Sequence, residues 1–135
     1  MTNQSRVAAW MDETFSQKEI DDAPERTLRH VEEALELAQA CNVDAATLHR
    51  LVDYVFSRPV GNPKQEIAGS LVTLYAAASA LDVDAQVAFE DELERIHQPE
   101  VIERCRRRQH EKREALMQPY KDGAEALKKA ARDLL

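Results

Sequence analysis

Apolar residues recur at steps of three and four along most of this chain, the spacing that lays one greasy stripe down a helix. Val7, Trp10, Met11 and Phe15 predict a first helix over residues 5–19, with Trp10 and Phe15 as core anchors or, alternatively, a platform for a nucleobase. Asp21, Asp22 and Pro24 mark a break and a new start, since proline is welcome in a first turn. Leu28, Val31, Leu35 and Ala38 then predict a core stripe on a second helix over about 24–41, ended by Asn42. Asp44 reads as the N-cap of a third helix carrying Leu48, Leu51, Val52 and Val55. Residues 57–63, Ser-Arg-Pro-Val-Gly-Asn-Pro, are the clearest loop.

A fourth helix is expected over 63–81, with Ile67, Leu71, Leu74, Ala78 and Leu81 facing a core. It has no charged residue from Ile67 to Ala80, so it is expected to be buried nearly all round, in a bundle or a bundle plus a subunit interface. A capped turn at 82–84 leads to a fifth helix with Val87, Phe89, Leu93 and Ile96, which Pro99 interrupts or kinks. After Pro119 a last amphipathic piece, 122–135, carries Leu127, Leu134 and Leu135. No internal repeat, low-complexity tract or Gly-rich phosphate loop stands out.

Composition agrees with an all-α protein: three Gly and five Pro in 135 residues, with Ala, Leu and Glu abundant. The length suits one domain. A net charge of −7 and 5% aromatic residues argue against general nucleic-acid binding. Arg104, Arg106, Arg107, Arg108, Lys112 and Arg113 nonetheless form a basic block, read either as a solvated face interleaved with Glu103, Glu111 and Glu114 or as a contact for a polyanion. Cys41 and Cys105 lack metal-ligand spacing and read as free thiols. With no apolar leader and no window approaching 18 apolar residues, a soluble cytoplasmic protein without membrane contact is expected.

Candidate chemistry centres on Glu32, Glu33 and Glu36, which lie on one side of the second helix and are bordered by apolar positions such as Leu37 and Ala40. Carboxylates three and four residues apart project from neighbouring turns and can close on one cation. Glu66 is a further acid, one turn into the otherwise uncharged fourth helix. These hard oxygen donors suit Mg²⁺, with Mn²⁺ a possible substitute. The competing reading is an exposed acidic face with intrahelical pairs such as Arg29 with Glu33. Nucleophilic and zinc chemistry are not supported: Ser70 lies mid-helix, and His30, His49, His97 and His110 are scattered.

The segments carrying these acids resemble the MazG-like all-α nucleoside triphosphate pyrophosphohydrolases, in a branch of small proteins of bacteria and their phages. Arg6-Val7-x-x-Trp10, Glu25-Arg26, Val31 to Leu37, Leu51 to Gly61 and Pro63-x-Gln65-Glu66-Ile67-x-Gly69 carry the likeness, which covers about residues 6–96. The family pattern is Glu-x-x-Glu followed by Glu-x-x-Asp on two antiparallel helices. Here the first half stands at Glu33 and Glu36, whereas Gly69 occupies the place of the family's Asp; Asp53 is a candidate replacement. The resemblance implies an antiparallel bundle of four core helices with extra terminal helices, a MazG-like domain over 1–98 and a C-terminal helical extension over 99–135. It also implies a homodimer or homotetramer with sites near the subunit interface. The implied reaction is Mg²⁺-dependent cleavage of a nucleoside triphosphate to monophosphate and pyrophosphate, serving nucleotide-pool control. Glu32 would handle the water, Glu33, Glu36, Glu66 and Asp53 the metal, and Arg26, Arg29 and Arg58 the phosphates. The alternative is a non-catalytic nucleotide-binding or oligomerisation module of the same fold, which the Gly69 departure favours.

Overall fold

A computed structural model describes the backbone of residues 1–133 and the side chains of residues 1–116, and among these residues all regular structure is helical. The helices are α1 (Asn3–Thr14), α2 (Gln17–Ile20), α3 (Ala23–Ala40), α4 (Ala45–Phe56), α5 (Pro63–Ala80), α6 (Ala85–Ile96) and α7 (Pro99–Asp133). The helix expected over 5–19 is two helices. Ser16 builds a capping box with Glu19: its hydroxyl accepts from the Glu19 amide, and the Glu19 carboxylate accepts from the Ser16 amide. A Ser-x-x-Glu pattern is the signature of a helix N-terminus, and here it divides the apolar run at residue 16. Pro99 does not kink a helix but opens α7, where its missing N–H costs nothing. The piece expected after Pro119 is the continuation of α7, and Leu127, Leu134 and Leu135 lie outside the described side chains.

A regularity that the sequence did not announce emerges from the helix boundaries. α5 begins and ends 40 residues after α3, and α6 begins and ends 40 residues after α4. Each pair is joined by the same turn. Asn42 and Asp82 take left-handed backbone conformations, with φ of 63° and 55°. Val43 and Val83 donate back to the carbonyls of Ala38 and Ala78 at 3.0 and 2.9 Å, closing each helix in a Schellman turn. Asp44 and Asp84 then cap the following helix by accepting from the amides of Thr47 and Val87. Two helical hairpins are thus repeated in tandem. The repeat escapes reading by eye because few letters match outside Val-Asp-Ala at 43–45 and 83–85.

The chain divides into two units, residues Met1–Glu25 with Leu93–Leu135, and residues Arg26–Glu92. In the first unit Leu93, Val101, Thr14 and Gln109 are buried. Trp10 stands edge-on to Phe15, ring centres 5.6 Å apart, and donates its indole N–H to the carbonyl of Ile96 at 2.9 Å. Both aromatics therefore act as anchors. Arg106 donates to the carbonyls of Glu13 (2.6 Å) and Thr14 (2.9 Å), occupying C-terminal acceptors of α1 that have no helical partner. Arg113 lies 3.6 Å from both Asp22 and Glu25, and Glu25 is only 1% exposed. Part of the basic block is therefore engaged within the fold. The exposed pair of Arg107 with Glu111 fits the solvated-face reading for the rest.

The second unit departs most from expectation. The stripes expected to form a core are not buried in the single chain: Leu28, Val31, Leu35, Leu51, Val52, Val55, Ile67, Leu71, Leu74 and Leu81 are all exposed. The reason is one of packing partners. Among the described residues, no two of the helices α3 to α6 make close backbone contact over an extended length, so these stripes stay largely open. Neither the bundle arrangement nor the all-round burial of α5 is found in one copy.

Two outcomes follow for stability. Replacing Arg113 by Leu leaves the Glu25 carboxylate buried without its counter-ion and is expected to cost about 3 kcal/mol in urea unfolding followed by Trp10 fluorescence. Adding Glu25→Leu should recover most of that loss. Separately, the Thr47 hydrogen bonds hold the Asp44 carboxyl below its ordinary value of 3.8. A depressed folded-state value means that the cap contributes fully above the unfolded value and is lost as pH falls through the folded one. Helicity of the wild type should therefore decline relative to Asp44→Asn, whose uncharged cap does not titrate, only below about pH 4 in a circular-dichroism titration.

Candidate functional site

The acids singled out in the sequence stand on α3 and on the first turn of α5. On α3, Glu32 and Glu36 are successive turns of one face, and with Leu35 and Gln39 they form one wall of a groove of about 380 Å³. Ala45, Leu48, His49 and Val52 of α4 form the other wall, and Val43 in the connecting turn closes the end. The groove exists because the Schellman turn and the Asp44 cap fold α4 back beside α3 within four residues. Its lining is mostly apolar, with Glu32, Glu36, Gln39 and His49 the polar members. His49 is the residue that sequence reading missed. Its signal was one of periodicity, since it follows Leu48 and lies one turn before Val52 and Asp53 on the helix facing the glutamates.

Glu32 is half-buried and accepts from Arg29 Nη1 at 3.1 Å, so the predicted water-handling acid is held by one of the predicted phosphate-binding arginines. This is an intrahelical pair of the kind that the competing reading gave for Arg29 and Glu33. The Nε atoms of Arg26 and Arg29 are buried without a hydrogen-bond acceptor. Arg58 is not directed to the groove walls but lies over the Tyr54 ring, 5.3 Å from its centre, a cation–π contact. Asp53 is exposed and is not among the groove-lining residues.

Glu66 sits on α5 where the Asn62 side chain caps the Lys64 amide and Pro63 occupies the first helical position. Its carboxylate folds against the backbone of Gly61, so closely that a Cβ at residue 61 would collide with it. Glycine at 61 therefore lets the Glu66 carboxylate approach closely and is not required by a left-handed turn, since among the described residues no glycine has positive φ. Gly69, at the place of the expected fourth acid, has open space around its missing side chain.

Among the described residues, no three His, Cys, Asp or Glu side chains come together in a geometry able to hold a metal ion. The donor types suit Mg²⁺, but within one copy the residues do not fit it as a site: Glu32 and Glu36 share the groove, and Glu33, Asp53 and Glu66 are not part of it. Among the described residues, no single helix is long and apolar enough to cross a membrane.

Compared with known protein families, curated proteins and solved structures, the chain matches none. The functional reading therefore rests on the residues themselves.

The contact between residues 61 and 66 gives a direct test. Gly61→Ala in a background of Glu66→Ala should be neutral or stabilising by about 0.4–1 kcal/mol, because the backbone there admits alanine. In the wild-type background the same change should lose that gain by displacing the Glu66 carboxylate. A thermal-unfolding double-mutant cycle reads the difference as a coupling, and strict additivity would mean that the two residues do not meet in solution.

Proposed function

We propose that this protein is a Mg²⁺-dependent nucleoside triphosphate pyrophosphohydrolase that releases a nucleoside monophosphate and pyrophosphate. The observation that carries the reading is the placement of Glu32 and Glu36 on the rim of a mostly apolar groove, beside His49 and with Arg29 bonded to Glu32. An acidic face with a purely solvating role needs no apolar surroundings, and carboxylates there are stabilised by water alone. Acids at an apolar edge, with guanidinium groups close by, offer what a triphosphate requires: positive charge for its oxygens and carboxylates to orient a water.

In this reading Glu32 positions the attacking water, and its bond to Arg29 fixes the carboxylate's direction while bringing a cation to the same edge. Arg26 and Arg58 are further phosphate contacts, Arg58 after leaving the Tyr54 ring. Mg²⁺, supplied with the nucleotide, would neutralise the triphosphate, and Glu33, Glu36, Glu66 and Asp53 are the oxygen donors available to it.

A second reading, a non-catalytic nucleotide-binding or oligomerisation module of the same helical type, is favoured by two observations. Gly69 stands where a fourth acid is expected, and no three acids gather in one copy among the described residues. Pyrophosphate release assayed across NTPs and dNTPs with Mg²⁺ or Mn²⁺ separates the two. An enzyme turns over at least one of them, and Glu36→Gln lowers that rate by about 10²–10³ with unchanged helicity. Nucleotide binding by calorimetry with no release of pyrophosphate from any substrate would establish the module instead.

A further inference from the structure

We draw no further inference here: the strongest candidate, the mostly apolar groove between α3 and α4 with Leu35, Leu48 and Val52 in its walls, shares Leu35 and Val52 with the uncovered stripes of those helices, and nothing in the structure shows what covers it.

Discussion

Apolar surface that one copy of the chain leaves open governs the region from Arg26 to Glu92. Half-burying a Leu, Val or Ile side chain is worth about 1 kcal/mol, and ten such side chains stand exposed on α3, α4 and α5. Their sum, on the order of 10 kcal/mol, equals the whole stability of a typical domain. Capping bonds and helix propensity, at about a kilocalorie each, hold the individual helices but do not approach that figure. The helices of this region are therefore locally well specified, and their association is decided by whatever covers their stripes.

The other unit is held by a different set of forces. Residues 1–25 and 93–116 are joined by directed polar contacts as much as by apolar burial. The Trp10 indole bonds the end of α6, Arg106 occupies the exposed carbonyls at the end of α1, and Arg113 stands between Asp22 and the buried Glu25. Each of these pairs residues more than 80 positions apart in sequence. Orientation is fixed there by bonds of defined geometry, which an apolar stripe does not provide. The tandem hairpins add a complementary lesson. The same Schellman turn and aspartate cap appear twice, 40 residues apart, while the faces they present have diverged: glutamates on α3, an uncharged surface on α5. A hairpin unable to bury its own face needs a further surface to cover it.

Much of the candidate chemistry was legible from spacing, because Glu32 and Glu36 are neighbours on a helix by virtue of period alone. His49 was not, since its approach to them depends on how tightly residues 41–44 turn α4 back on α3. Nor was the engagement of Glu32 by Arg29 separable from the alternative with Glu33, as both spacings are allowed on a helix. Glu66 was visible as an oddity, a lone acid at the head of an apolar helix, but its contact with Gly61 arises from the path of the loop.

The sequence by itself determined the all-helical class, the cap at Asp44, the loop beginning at Ser57 and the acid strip on α3. These are short-range consequences of propensity, capping and a 3.6-residue period, which few neighbouring residues suffice to specify. Tertiary structure alone decided that Arg106 and Arg113 are engaged within the fold and that the expected core stripes of α3 to α5 remain uncovered in one chain. Each of these depends on which distant surface, if any, comes to lie opposite a residue, and a stripe's pattern states only that it needs a partner and not where that partner is.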